Sequence, residues 1–334
     1  MRYISEFRAV HGGKGTYLAQ KGIELLDFSA SINPYPPLLD CSISADALNR
    51  YPDDEYHILK ETIARHHKCT PDHVTVGNGS VEIIRTLCHT VLKKEVRYFV
   101  PDHTFAEYEL SARLVGAQKA DDEKTALLSF LCNPENPSGV LTPRTEIIAR
   151  LSQFSADHIL CVDEAFIDLS DPKESVSDIH DPGLFVLRSL TKSFAIPGLR
   201  FGYGIGDPDL IASMEVMRPP WTVNAIAEKV ALEAFSKYDE LAYARKKIGD
   251  ERMRLIRIIQ SYGWSCSNSS ANYLLINTYH PSKKITELFY KFGILVRDCS
   301  SFGLPTSIRI AIRRREENDR MIDALEKVIT CMRS

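Results

Sequence analysis

The sequence has no hydrophobic run long enough to cross a bilayer, and Met1 to Glu6 do not have the pattern of a signal peptide. We therefore expect a cytoplasmic protein with no membrane as partner. An excess of charge of one sign is missing as well, since 41 basic and 44 acidic residues give a formal net charge of −3. That balance gives no reason to expect nucleic acid as a partner.

Metal-binding patterns are absent too. The eight cysteines form no Cys-x-x-Cys pair and no series of ligand spacings, so we predict no metal site. Four cysteines lie in or beside apolar stretches and are expected to be reduced and buried: Cys69, Cys88, Cys132 and Cys161. Because neighbouring helix positions point in different directions, His66 and His67 are predicted to be helix-surface residues rather than metal ligands.

No Gly-x-Gly-x-x-Gly follows the first strand, which argues against a nicotinamide dehydrogenase. The chain does have the length, 334 residues, to bury a large core and to form two domains. Between Val74 and Ile205, apolar strands alternate with helices, which predicts an α/β fold with a mostly parallel sheet between helices. We predict a large domain over residues 40–225 and a small domain that combines residues 1–39 with an α+β unit at 226–334.

The residues around Lys192 carry the strongest chemical signal. A buried strand leads into them, Ser189 and Thr191 flank the lysine, and Pro197-Gly198 turns the chain before Arg200. A lysine at the end of a buried strand loses solvation, which lowers its pKa and lets its amine attack a carbonyl group. Arg200 and Ser189 suit an anion beside it. A solvated surface lysine is the alternative that this stretch leaves open.

Two glycine-rich segments predict further anion sites. After the strand at Val74–Val76, Gly79 and Ser80 lead into a helix whose first N–H groups are unpaired and favour a phosphate. Near the start, His11 and Gly12 belong to His-Gly-Gly-Lys-Gly, where glycine N–H groups and two cations suit an anion. The alternatives are a tight connection in the first case and a flexible N-terminal turn in the second.

Polar side chains follow three of the predicted strands. Asn33 lies at an Asn-Pro bend, Asn136 lies in the double turn Asn-Pro-Glu-Asn-Pro, and Asp163 comes directly after a buried strand. A carboxylate at Asp163 is costly to bury unless a cation meets it. The alternative is that Asp163 only caps the turn after its strand.

Together these positions resemble the site of the fold-type I pyridoxal-phosphate (PLP) enzymes, the aspartate aminotransferase superfamily, and the resemblance extends over essentially the whole chain. The matching positions are Tyr51, Gly79, Ser80, Phe105, Asn136, Asp163, Ser189, Lys192 and Arg200. The resemblance implies a fold with a large αβα domain and a smaller α+β domain. It also implies pyridoxal 5'-phosphate as cofactor, bound covalently by Lys192, with Asp163 on the pyridine nitrogen.

The resemblance assigns the other positions as well. Asn136 contacts the ring oxygen and Phe105 stacks on the ring. The cofactor phosphate is held by Gly79, Ser80, Ser189 and Arg200, and Tyr51 reaches the phosphate of the neighbouring subunit in a homodimer. The expected substrate contacts are His11, Gly12, Asn33, Arg297 and Arg309. Arg309 matches the arginine that binds a substrate carboxylate with a bidentate fork.

Two branches of the superfamily compete: histidinol-phosphate aminotransferase and threonine-phosphate decarboxylase of cobalamin synthesis. Four details look like the decarboxylase: His-Gly-Gly at 11–13 with Asp-Phe-Ser at 27–29, Phe166 where the aminotransferase usually has Tyr, Ile-Pro-Gly-Leu-Arg at 196–200, and Arg-Asp-Cys-Ser-Ser-Phe-Gly-Leu at 297–304. Lys14 departs from the decarboxylase pattern, which usually has Asn there.

We expect a small phosphorylated substrate and, for the reaction, decarboxylation of L-threonine O-3-phosphate to (R)-1-amino-2-propanol O-phosphate. The alternative is amino transfer from histidinol phosphate. A PLP-fold binding protein without catalysis is a third possibility, but Lys192, Asp163 and Arg200 are retained, and loss of catalysis should first be visible at the lysine.

Overall fold

The computed structural model describes residues 8–10, 12–13, 15–42 and 44–333. His11 and Lys14, which belong to the predicted N-terminal anion site, lie outside the described residues. None of the described helices is long and apolar enough to cross a membrane.

The strands are β1 (Leu26–Asp27), β2 (Val74–Gly77), β3 (Arg97–Phe99), β4 (Gln118–Lys119), β5 (Leu128–Cys132), β6 (Ile159–Asp163), β7 (Leu184–Ser189), β8 (Gly202–Ile205), β9 (Ser265–Cys266), β10 (Tyr273–Asn277), β11 (Ile294–Leu295), β12 (Arg297–Asp298) and β13 (Ser307–Ala311). The helices are α1 (Gly15–Gln20), α2 (Ala45–Leu48), α3 (His57–His67), α4 (Ser80–Val91), α5 (Glu107–Leu114), α6 (Arg144–Leu151), α7 (Leu190–Ser193), α8 (Pro208–Met217), α9 (Ala225–Ser236), α10 (Leu241–Ser261), α11 (Ser282–Lys291) and α12 (Arg315–Arg333).

The large sheet has seven strands in the order β2-β8-β7-β6-β5-β3-β4. Strand β8 runs antiparallel to both of its neighbours, whereas β3 to β7 are parallel to one another. This arrangement confirms the predicted α/β fold. Because parallel strands end at the same edge, Cys132, Asp163 and Ser189 come together at the carboxyl ends of β5, β6 and β7.

Helices cover both faces of this sheet. Leu59 of α3 belongs to the same buried cluster as Val162 of β6, and Tyr108 of α5 belongs to the opposite cluster with Phe130 of β5. Side chains alternate between the two faces of a strand, so Asp163 points away from Val162. Its carboxylate therefore faces the layer that contains α5.

The C-terminal unit has its own antiparallel sheet in the order β12-β13-β10-β9 and its own buried cluster. Strand β1 pairs with β11 in parallel, which joins the N-terminal segment to this unit. The helical region predicted between 224 and 262 consists of α9 and α10, separated by a single 3-10 turn at Tyr238–Glu240. The domain boundaries near residues 40 and 225 stay a prediction.

Two expectations from the sequence are wrong. His67 is not a surface residue: it is buried, and its ring nitrogens lie 2.9 Å from Ser177 Oγ and 2.9 Å from Tyr203 Oη. It follows Ile63 by four positions, so it shares the core-facing side of α3. Cys69 is only half-buried: it follows the end of α3 and packs at the margin of the buried cluster. Cys88, Cys132 and Cys161 are free and buried as predicted.

Candidate active site

The carboxylate of Asp163 lies at the centre of the sheet edge, with 5% of the residue exposed. Tyr108 Oη donates to its Oδ2 at 2.6 Å, and the Ala165 N–H donates to its Oδ1 at 3.0 Å. Burial raises the pKa of Asp163, and these two donors act in the opposite direction. The carboxylate is thus desolvated but oriented, which suits a cationic partner in front of it.

Lys192 follows β7 on the short helix α7 and is half-buried. Burial, followed by the positive charges of Arg309 and Arg200, lowers the pKa of Lys192 to about 8. The Asn33 N–H donates to the Lys192 carbonyl at 3.0 Å, and Asn33 Nδ2 donates to the Ser193 carbonyl at 2.7 Å. Asn33, predicted as a substrate contact, therefore holds the backbone that carries the lysine.

An anion cradle lies beside the lysine, where the start of α4 meets β8. Gly79 has a φ of +83°, and a Cβ there would lie 2.4 Å from Arg200 Nη2. A Cβ on Gly202 would lie 2.6 Å from the N–H nitrogen of Ser80. Glycine is therefore required at Gly79 for the Arg200 guanidinium to approach the start of α4, and at Gly202 for β8 to approach the same backbone. On the lysine side, Ser189 is buried, with its hydroxyl 2.8 Å from that of Thr191.

Asn136 connects the sheet edge to the C-terminal unit. Its Oδ1 accepts a hydrogen bond from Arg309 Nη1, which leaves the Nδ2 group to donate elsewhere. Phe105 is half-buried just before α5, and its ring meets that of Tyr108 edge to face at 5.4 Å. Both residues thus lie in contact with groups of the site, Asn136 through Arg309 and Phe105 through Tyr108.

Two buried arginines form the other wall of the site. Arg297 and Arg309 are register partners on β12 and β13, and neither forms an ion pair within the part of the chain that the structure describes. Arg297 Nη2 donates to the Val10 carbonyl at 2.8 Å and to Ser301 Oγ at 2.7 Å. Arg309 Nη2 donates to the Ser29 carbonyl at 3.2 Å.

The environment of this arginine pair is unfavourable for positive charge. Burial lowers the pKa of both guanidinium groups, and the charge of Arg309 lowers the pKa of Arg297 further. Arg309 Nε is buried and has no hydrogen-bond partner among the described residues. Like charges directly opposite each other in a sheet are destabilising. The pair is therefore suited to an anion from outside.

The N-terminal glycines pack against the same wall. A Cβ on Gly12 would lie 2.6 Å from the Ser29 carbonyl oxygen, and the Gly13 N–H donates to Ser29 Oγ at 2.9 Å. Ser29 is also the residue whose carbonyl accepts from Arg309. Gly12 thus lies near the arginine pair, while the contacts of His11 are outside the described residues.

Tyr51, another predicted site residue, lies exposed at the surface of the single chain. It is 79% exposed, and its ring stacks on Trp221 with the centroids 4.5 Å apart.

Tyr108, in contrast, was missed by the sequence analysis although it touches Asp163 directly. The available signal was its position three residues after Phe105, because residues spaced by three lie on one face of a helix.

These residues fit pyridoxal phosphate. The cradle at Gly79 suits a phosphate, the half-buried Lys192 has a lowered pKa, and the desolvated carboxylate of Asp163 suits a protonated ring nitrogen. With the mostly parallel sheet, they define a fold-type I PLP-dependent enzyme. The sequence matches "Aminotransferase class I and II" over residues 26–325, and the chain belongs to that family.

Relatives named for two different activities share this similarity. A histidinol-phosphate aminotransferase from Symbiobacterium thermophilum is 27% identical over 328 residues, which cover 92% of this chain and 91% of the relative. A protein from Caldanaerobacter subterraneus subsp. tengcongensis with the provisional name threonine-phosphate decarboxylase is 33% identical over 327 residues, which cover 89% of this chain and 88% of the relative.

A solved structure shows the same fold in complex with the cofactor. Histidinol-phosphate aminotransferase from Sinorhizobium meliloti, crystallised with pyridoxal-5'-phosphate, matches with a TM-score of 0.85 and 20% identity, and 99% of each chain is covered. The likeness at this identity concerns the fold. Together with the family match it identifies pyridoxal phosphate as the cofactor of this chain.

Proposed function

We propose that Lys192 binds the cofactor covalently and that Asp163 pairs with its ring nitrogen. Asn136 would contact the ring oxygen and Phe105 would lie on the ring. The phosphate would be held by Gly79, Ser80, Ser189 and Arg200. When bound, the cofactor withdraws electrons from the substrate Cα. The protein supplies the positions of the groups and the transfer of protons.

The assignment of Lys192 is tested by borohydride reduction followed by peptide mapping. We expect the pyridoxyl group on Lys192, since its lowered pKa increases the fraction of free amine near neutral pH. An Asp163→Asn variant should retain most of the cofactor through the phosphate contacts and lose most turnover, because the ring nitrogen loses its counter-charge. An adduct on another lysine, or normal turnover in the variant, would contradict these roles.

We further propose that the enzyme decarboxylates L-threonine O-3-phosphate to (R)-1-amino-2-propanol O-phosphate. The observation that carries this proposal is the arginine pair: Arg297 and Arg309 are buried, adjacent and without a carboxylate partner among the described residues. A small substrate with a carboxylate and a phosphate supplies one anion for each guanidinium. Histidinol phosphate carries a phosphate and no carboxylate, so it would satisfy one arginine at most.

The bond that breaks is set by orientation. The arginine pair would hold the phosphate and the carboxylate of the substrate, and so orient the Cα–carboxylate bond for the loss of carbon dioxide. Cα then needs one proton, and Lys192, with a pKa lowered to about 8, is suited to deliver it. The net reaction consumes one proton, releases carbon dioxide and needs no amino acceptor.

Histidinol-phosphate aminotransferase is the second candidate, favoured by the name that recurs among the relatives. In that reaction the dicarboxylate 2-oxoglutarate would meet the arginine pair in the second half of the cycle. The two candidates therefore differ in whether turnover depends on a keto acid.

The experiment compares two reactions of the same enzyme preparation. One contains L-threonine O-3-phosphate without a keto acid, and the other contains histidinol phosphate with 2-oxoglutarate. We expect sustained release of carbon dioxide in the first and no glutamate in the second, with Lys192→Ala inactive in both. Glutamate formation in the second, without carbon dioxide in the first, would assign the chain to the aminotransferases.

We also propose that the enzyme is a homodimer in which Tyr51 serves the partner's cofactor. Its support is the exposure of Tyr51 and Trp221, 79% and 45%, which leaves a stacked aromatic pair in solvent in the single chain. We expect a dimer by sedimentation at assay concentration and weaker cofactor binding in Tyr51→Ala. An active monomer would contradict this arrangement.

A further inference from the structure

Tyr108 is held rigidly beside the proposed cofactor site. The residue is completely buried, and its ring stacks on Phe130 with the centroids 4.8 Å apart and 9° between the planes. Phe105 packs against it edge to face at 5.4 Å. With aromatic contacts to two neighbours, the ring has little freedom to move, so the position of the hydroxyl is determined by packing.

The hydroxyl is directed at Asp163. It donates to Oδ2 at 2.6 Å, which is short for such a bond and typical of a charged acceptor. Burial, with the negative charge of Asp163, raises the pKa of Tyr108 well above its usual value. The phenol therefore keeps its proton at neutral pH and remains a donor.

We propose that Tyr108 is a positioning residue for the cofactor: its hydroxyl fixes the Asp163 carboxylate, keeps it ionised in the buried site and directs its free lone pairs at the ring nitrogen. Ala165 already binds Oδ1 through its N–H. With one donor on each oxygen, the carboxylate is unable to rotate, and each oxygen retains a lone pair for the cofactor. The inference rests on the proposed contact between Asp163 and the ring nitrogen.

The charges around Asp163 make this donor important. Glu164 opposes ionisation of Asp163, whereas Lys192 favours it from α7. Burial, with the negative charge of Asp163, raises the pKa of Cys132 of β5, Cys161 of β6 and Tyr273 of β10, so these neighbours stay neutral. Tyr108 is therefore one of only two hydrogen-bond donors to this carboxylate in the part of the chain that the structure describes.

The test uses the holoenzyme with Tyr108→Phe, which keeps the ring packing and removes the hydroxyl. Loss of a hydrogen bond to a charged group should speed release of the cofactor by about tenfold. The ring nitrogen should also be less fully protonated. The pH midpoint of the visible absorption change should then move upward, because the Lys192–cofactor linkage keeps its proton to higher pH without the neighbouring positive charge.

Tyr56→Phe is the matched control. Tyr56 is also fully buried, and its hydroxyl bonds with the backbone of Val223, at 3.2 Å to the carbonyl and 3.0 Å to the N–H. Loss of the Tyr56 hydroxyl should lower the free energy of unfolding without moving the pH midpoint of the visible absorption change. If both variants shift the midpoint equally, the effect of Tyr108 is general loosening and the inference is wrong.

A double variant separates this inference from the proposed role of Asp163. If Tyr108 acts through Asp163, the midpoint shift in Asp163→Asn should not increase when Tyr108→Phe is added. Additive shifts, or an unchanged midpoint in Tyr108→Phe beside a shifted one in Asp163→Asn, would overturn the inference. An unchanged midpoint in Asp163→Asn alone would instead reject the proposed ring contact.

If Tyr108→Phe does not fold, 3-fluorotyrosine at position 108 gives the same information with the packing retained. The more acidic phenol donates more strongly, so the midpoint should move downward. No shift, or a shift upward, would count against the inference.

Discussion

The buried arginine on β7 and the buried arginine pair on β12 and β13 differ in whether acidic side chains neutralise them. Arg188 on β7 is 3% exposed, with Nη1 2.7 Å from Glu164 Oε2 and Nη2 2.5 Å from Asp168 Oδ1. Arg297 and Arg309 are buried nearly as deeply, at 8% and 7%, yet have no acidic partner among the described residues.

This difference distinguishes an arginine that stabilises the fold from arginines that are suited to bind an anion. A buried charge is tolerated when it is paired and hydrogen-bonded, and Arg188 meets that condition within the chain. Arg188 lies next to Ser189 at the end of β7, and Glu164 comes directly after Asp163 at the end of β6. The ion pair between Arg188 and Glu164 therefore joins the ends of the two strands. The Arg297/Arg309 pair meets the condition only when an anion enters, so its charge is available to a ligand.

The largest expected effect is on folding. Arg188→Met leaves two carboxylates buried without their cation and should lower the free energy of unfolding by about 3–5 kcal/mol. Arg309→Met, the control at the same degree of burial, should change it little or raise it, since it relieves a like-charge pair. Urea unfolding at fixed protein and cofactor concentrations measures both, and equal losses would contradict the distinction.

The next effect is on catalysis. Arg309→Gln should lower kcat/KM for the true substrate by about 100-fold or more, since truncating one partner of a buried charge pair costs about 2–5 kcal/mol. Arg309→Lys should recover only part of the loss, because an ammonium group lacks the bidentate fork. Normal kcat/KM in the glutamine variant would show that this arginine does not bind substrate.

A smaller effect is expected with a simple anion. Inorganic phosphate should stabilise the holoenzyme by binding the arginine pair, by about 2.7 kcal/mol at a concentration of 100 Kd. Thermal unfolding with and without phosphate measures this gain. The Arg297→Gln variant should lose most of this stabilisation, although the ion pairs of Arg188 are unchanged in it. An undiminished gain in the variant would mean that phosphate binds elsewhere.

The smallest effect links the arginine pair to the lysine. In cofactor-free protein, the rate of recombination with pyridoxal phosphate should rise as pH passes through about 8, where Lys192 loses its proton. Because the charge of Arg309 contributes to this lowered pKa, Arg309→Gln should move the midpoint to higher pH. An unmoved midpoint would mean that the charge of Arg309 does not contribute to the lowered pKa of Lys192.

Much of the site was predictable because its signals are local. The strand, hydroxyls and turn around Lys192 lie within one short segment, and Gly79 and Ser80 lead from a strand into a helix. The parallel sheet then follows from alternating strands and helices, and parallel strands bring their carboxyl ends to one edge. The sequence alone therefore implies that Lys192 lies close to Asp163.

Other features depended on which faces pack together. His67 was predicted as exposed, but α3 turns it toward Ser177 and Tyr203. Tyr108 was not singled out, because a tyrosine in an amphipathic helix is ordinarily a core residue and nothing local shows that its hydroxyl meets Asp163.

The sequence by itself determined the fold class, the lysine segment and the glycine cradle, since periodicity and glycine requirements are properties of neighbouring residues. Tertiary structure decided the partners of the charges. Arg188 meets Glu164 and Asp168, whereas Arg297 and Arg309 meet each other across β12 and β13. Charge compensation acts through space between segments far apart in the chain, so only the folded arrangement reveals which arginines are left for a ligand.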